Sequence, residues 1–157
     1  MSSLAFTDLG VRYGRRDAIQ GFTDTVRPGE WLCLIGPNGA GKSSILRATA
    51  GLVPHTGTIA VDGAPIGLRS ARRRAELVAY VPQAPNMPDD MTGDEYVLLG
   101  RTPYIGYFGV ESQHDLAMVQ SVLDRLALQH HAHGVVSATT GGEGRRVIDA
   151  VEADPAQ

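Results

Sequence analysis

The chain has 157 residues, a formal net charge of −3 and 43% apolar residues, so one domain is expected, with enough chain to bury a core. That apolar share excludes the disordered class, and the acidic balance argues against nucleic acid as a partner. No run approaches the roughly 18 apolar residues of a membrane helix, and Met1-Ser2-Ser3-Leu4 lacks a basic-then-apolar secretion signal, so a cytoplasmic protein is expected.

Short strands are expected first. Leu4 and Phe6 alternate, as do Leu9, Val11 and Tyr13, and Phe22, Asp24 and Val26 keep the same period of two. Arg27-Pro28-Gly29-Glu30 is a turn signal. Trp31-Leu32-Cys33-Leu34-Ile35 is a short apolar run of the kind that forms a buried parallel strand, and Cys33, the single cysteine, is expected to pack inside it.

Gly36-Pro37-Asn38-Gly39-Ala40-Gly41-Lys42-Ser43 follows and fits the pattern G-x-x-x-x-G-K-[ST] at every fixed position. Ser44 to Ala50 carries helix formers, with Gly51 and Pro54 where a helix stops. Strand, glycine-rich loop and helix thus come in the order that phosphate chemistry needs. Glycines let backbone N–H groups turn toward phosphate oxygens, and a helix N-terminus adds partial positive charge. Lys42 is expected to reach the β- and γ-phosphates and Ser43 to offer its hydroxyl to Mg²⁺. Gly36 to Ser44 are therefore the candidate residues for a nucleoside triphosphate.

Thr58 to Val61 forms a further expected strand, ended by Asp62-Gly63. Arg72-Arg73-Arg74 sits in a short helical stretch, more simply a solvated face than a phosphate patch. Leu77 to Val81 has the composition of a buried strand ending at Pro82-Gln83, which places Gln83 at a strand's carboxyl end, where open parallel sheets bind ligands. From about Asp94 to Ala153 the chain has helical character. Ser112 and Asp115 make a capping-box-like start, and Leu116, Val119, Leu123 and Leu126 form one apolar stripe. His130, His131 and His133 close that helix. They lack a nearby carboxylate or cysteine partner, and favouring the helix dipole is their simpler role.

Three features together resemble the ATP-binding subunit of an ABC transporter: the phosphate loop, the Val81-Pro82-Gln83 strand end, and Gly141-Gly142-Glu143. The resemblance spans Leu4 to about Pro155. It implies an α/β P-loop nucleotide hydrolase fold, here incomplete, with a β-rich phosphate-loop core over 4–90, a helical subdomain over 91–144 and a degraded signature helix with tail over 145–157. Val11-Arg12-Tyr13-Gly14 resembles the segment that stacks adenine, with Tyr13 as the aromatic. Gln83 matches the glutamine that contacts Mg²⁺ and the attacking water, so Lys42 and Gln83 are the catalytic candidates and Ser43 and Gln83 the Mg²⁺ candidates. Tyr96 to Tyr104 resembles importers of iron–siderophore complexes, haem and cobalamin. The resemblance further implies ATP and Mg²⁺ as cofactors, a transmembrane permease and a second ATP-binding subunit in a homodimer as partners, and a peripheral place on the inner face of the cell membrane.

The sequence also departs from that family. Thr139-Thr140 stand where the family has Leu-Ser, leaving Thr140, Gly141, Gly142 and Glu143 to contact the opposite subunit's ATP. Gly144 replaces a polar helix former, at a cost of about 1 kcal/mol in a helix. The family's aliphatic run ending in Asp-Glu and its histidine loop are not found here. A positioned general base contributes about 10²–10⁴ in rate, so an alternative expectation is a non-catalytic, truncated remnant that binds nucleotide or permease without turnover. The same comparison leaves Trp31 to Ile35 without parallel neighbours and the isolated chain unstable. A different P-loop enzyme is disfavoured because no Asn-Lys-x-Asp base-reading motif occurs.

Overall fold

The computed structural model describes residues 2–82, 90–106, 109–129 and 132–135. It divides into two compact units, 1–80 and 81–157.

The first unit is built on an antiparallel sheet. Strands β1 (Leu4–Tyr13) and β2 (Arg16–Val26) form a hairpin, β3 (His55–Val61) pairs with the other edge of β1, and β4 (Ala64–Pro65) pairs antiparallel with the end of β3. The order is β2-β1-β3-β4. Phe6 faces the core, a register shift around Asp8 breaks the alternation, and Leu9 and Val11 beyond it face the same core, where Ile59, Val61 and Ile66 meet them. Phe6 meets Phe22 of β2 edge to face, ring centres 5.2 Å apart. Helix α1 (Lys42–Thr49) is only two turns long, too short to persist in isolation. It is held because Ile45 and Ala48, one turn apart, join that same core.

Two expected strands do not form. Trp31 to Ile35 and residues 78–80 belong to no strand. Trp31 is 99% exposed, Ile35 is 90% exposed and Cys33 is exposed rather than buried, while Leu34 packs on the core. Leu32 is also exposed, at 40%, so Leu34 alone of the run is held by the core. A buried parallel strand needs a ladder partner beside it and a second layer over its outer face, and the described residues supply neither.

The second unit pairs α3 (Gly93–Leu98) with α4 (Gln113–Arg125) around Tyr96, Val97, Val119, Val122, Leu123, Leu128 and Ala132. Helix α2 (Ala71–Ala75), capped by Ser70, carries the arginine triplet in the first unit, where Arg72 and Arg73 both reach Glu76. The capping box of α4 is present as expected: the Ser112 side chain accepts from the Asp115 N–H at 3.2 Å, and the Asp115 carboxylate accepts from the Ser112 N–H at 3.0 Å. The apolar stripe is rotated from its expected position. Val119 and Leu123 are buried and Leu126 packs against the core, but Val122 joins them and Leu116 is half exposed. The cap is the cause. It turns Asp115 inward, where Arg101 donates to it at 3.1 Å, and Leu116, one position further round, faces out.

Bonds from the Ser112 hydroxyl and N–H, with Arg101 adding to them, lower the Asp115 pKa from 3.8 to about 2. A carboxyl depressed in the folded state stabilises above its unfolded pKa, and that contribution is lost as pH falls through the folded value. The second unit should therefore lose stability between about pH 4 and pH 2. Urea midpoints measured across that range should fall with pH in the native chain and stay flatter in Asp115→Asn; parallel slopes would remove Asp115 as the source. Ser112→Ala removes the other half of the box and should cost about 1 kcal/mol. Helix loss on urea titration, followed by circular dichroism, measures it.

Candidate functional site

Gly36 to Ser43 closes as a tight loop onto the start of α1. The Ala40 N–H donates to the Pro37 carbonyl at 3.2 Å, and the Ser44 and Ile45 N–H groups donate to the Gly41 carbonyl at 2.9 and 3.1 Å. Gly41 is the residue before the helix, with φ +87, a left-handed value that costs other residues about 1–2 kcal/mol. A Cβ there would also overlap the Ala18 carbonyl oxygen and the Ile19 side chain. Glycine is needed twice over, for backbone conformation and for the close approach of β2. That contact seats the loop against the hairpin.

The Lys42 ammonium folds back over the loop and donates to the carbonyls of Gly36 at 2.7 Å and Pro37 at 2.8 Å. It thereby spans the loop from end to end and holds a positive charge at the N-terminus of α1. Ser43 follows in the first helical turn with an exposed side chain, while Ser44 is buried at 8% exposure. The donor set fits a polyphosphate with its metal ion: a helix N-terminus, an ammonium and an accessible hydroxyl. Ser44 is placed to pack rather than to reach a ligand with its side chain.

Tyr13 ends β1 and is 42% exposed, so a ring face is available for stacking. Its register partner across the hairpin is Arg16. The Tyr80 hydroxyl first, and the Tyr13 hydroxyl second, hold the Arg47 guanidinium above its usual pKa. Arg47 of α1 thus lies close to both tyrosines. Nothing in the linear motif marked Arg47 or Arg16; both become visible only when the hairpin and α1 are side by side.

Other candidates fall elsewhere. Gln83 and Thr140, Gly141, Gly142 and Glu143 lie outside the described residues, as do His130 and His131. His133 is exposed, 3.5 Å from Asp94. Among the described residues no cluster of His, Cys, Asp or Glu could hold a metal ion, and no helix is long and apolar enough to cross a membrane. A surface cavity of about 440 Å³ opens on the sheet beside Asp8, Gly10, Asp17 and Thr56, and no phosphate-loop residue lines it.

A family model described as ABC transporter matches residues 19–150. The iron(3+)-hydroxamate import ATP-binding protein FhuC of Bacillus subtilis (strain 168) is 32% identical over 148 residues, covering 94% of this chain and 55% of its own length. The hemin import ATP-binding protein HmuV of Streptomyces coelicolor is 38% identical over 140 residues, covering 88% of this chain and 49% of that protein. A Nod factor export ATP-binding protein I, from Paraburkholderia xenovorans (strain LB400), is 37% identical, covering 93% of this chain and 47% of that protein. The chain spans about half the length of the curated relatives it matches. Among solved structures, a metal-chelate type ABC transporter in an inward-facing conformation matches with a TM-score of 0.75 at 26% identity, over 96% of this chain and 54% of that one. A nucleotide-free ATP-binding cassette matches with a TM-score of 0.78 at 22% identity, over 96% and 64%, which shows the fold.

Proposed function

The chain belongs to the ABC transporter family, and on that premise we propose that it is ATP-binding sequence of an ABC-type importer that energises uptake of an iron complex or a similar cofactor. The observation that carries the proposal is Lys42 folded across a glycine-lined loop at the N-terminus of α1. Loop N–H groups and the helix terminus hold the phosphate chain, Lys42 neutralises its β- and γ-oxygens, and the Ser43 hydroxyl is the protein's ligand to Mg²⁺. Bound Mg²⁺ supplies charge neutralisation across those phosphates. Tyr13 stacks on the adenine, worth about 0.5–1.5 kcal/mol beyond burial, enough to orient the base and too little to select it strongly.

The remaining assignments rest on family membership and the sequence. Gln83 is assigned to the Mg²⁺ and water side of the site, and Thr140 to Glu143 to the ATP of a second subunit. A transmembrane permease is the membrane partner, with this chain peripheral on its cytoplasmic face. The import assignment rests on residues 96–104 and on the similarity to FhuC and HmuV.

Titration calorimetry of the chain with ATP, with and without Mg²⁺, tests the core of the proposal. Saturable binding strengthened by Mg²⁺ is the expected result, and no binding of ATP or ADP would overturn it. Phosphate release in the same samples separates turnover from the non-catalytic alternative. Cells lacking the gene should take up less labelled ferric hydroxamate or haem; unchanged uptake of both removes the importer assignment.

A further inference from the structure

Among the described residues, five of the arginines already have carboxylate partners, Arg72 included, through Glu76. Arg12 meets Asp17 at 3.0 Å, Arg27 meets Glu30 at 3.4 Å, Arg73 meets Glu76, and Arg101 meets Asp115 at 3.1 Å. Arg16 differs. Its side chain is exposed, and among the described residues no hydrogen bond or ion pair engages its guanidinium.

Its position is not arbitrary. Arg16 is the first residue of β2, directly across the hairpin from Tyr13. The hairpin tip carries it to the phosphate loop, where a Cβ built on Gly39 would lie 3.4 Å from Arg16 Nη2. Gly39 has φ +85 and no side chain, so its outer side is open to the guanidinium. Lys42 reaches the loop from the other end, with its ammonium committed to the Gly36 and Pro37 carbonyls. A free guanidinium and a tethered ammonium thus flank one loop, with Tyr13 across the hairpin from the guanidinium.

We propose that Arg16 is a second cationic anchor for the phosphate chain of the bound nucleotide, acting from the Gly39 side of the loop. The inference rests on the nucleotide-binding reading above and adds to it a residue outside the linear motif. A guanidinium suits this place because its planar fork bonds two phosphate oxygens at once and keeps its charge at any physiological pH. Its freedom from internal partners means that no ion pair has to break when phosphate arrives. The partial positive charge of the α1 N-terminus draws the anion to the same spot.

Calorimetry of the full chain with ATP, ADP and adenosine tests it in the native protein, Arg16→Ala, Arg16→Lys, Lys42→Ala and the charge-matched control Arg73→Ala. Arg16→Ala should weaken ATP and ADP about tenfold, the scale of a charge-assisted hydrogen bond. It should flatten the salt dependence of ATP binding and leave adenosine unchanged. Arg16→Lys should fall between, keeping charge but not the fork, and Arg73→Ala should match the native chain. Native ATP affinity in Arg16→Ala, beside a loss in Lys42→Ala, overturns the inference and leaves the nucleotide site standing. Equal losses for ATP and adenosine show a hairpin defect and also overturn it. A native chain that binds no nucleotide overturns both readings.

Discussion

Lys42→Ala lowers the affinity for ATP roughly tenfold to hundredfold, the equivalent of one charge-assisted hydrogen bond at about 1.5–3 kcal/mol. Two effects act together. The phosphate chain loses its ammonium, and the carbonyls of Gly36 and Pro37 lose the donor that draws the two ends of the loop together. The second effect separates this lysine from a mere surface charge, because raising salt screens a charge but does not restore a tether. Lys42→Arg is therefore not expected to rescue fully: a planar fork does not reproduce a compact ammonium bonded to two converging carbonyls. Equilibrium dialysis with labelled ATP measures both variants. Affinity unchanged in Lys42→Ala would remove the residue from the phosphate site.

Ile45→Ala destabilises the first unit by about 2–5 kcal/mol, the range for truncating a buried aliphatic side chain. Ile45 is 5% exposed and packs with Leu9, Val11 and Ile59. It is also the residue whose N–H closes the first turn on the Gly41 carbonyl. A cavity at this point removes one of the two side chains that bind a two-turn helix to its sheet. Hydrogen exchange of the β1 and β3 amides and urea unfolding by circular dichroism read the loss. Nucleotide affinity should fall with it, since the loop ends on that helix. A midpoint shift equivalent to under about 1 kcal/mol, below that aliphatic range, would mean that α1 is held by something other than this core.

The local grammar of the chain was legible in sequence. The hairpin follows from the alternation of Leu9 and Val11, because a period of two turns alternate side chains into one core. The cap at Ser112 follows from a hydroxyl placed three residues before a carboxylate. Glycines at 39 and 41 are required by positive φ at a loop that ends on a helix. Errors arose where the outcome depended on partners. Trp31 to Ile35 has the composition of a buried strand, yet composition cannot supply the neighbour that makes one. Leu116 fits a helical period, but the stripe's phase was set by Asp115 turning inward to Ser112 and Arg101.

Sequence by itself determined the phosphate loop, its order between an apolar run and a helix, and the kinship that the family model bears out, since these depend on spacing along the backbone. Only the tertiary structure decided that the Lys42 ammonium spans the loop and that Arg16 stands beside Gly39. The reason is physical. Spacing specifies which groups a turn of chain can present, whereas contacts between residues far apart in sequence exist only once the sheet and α1 have closed on a shared core.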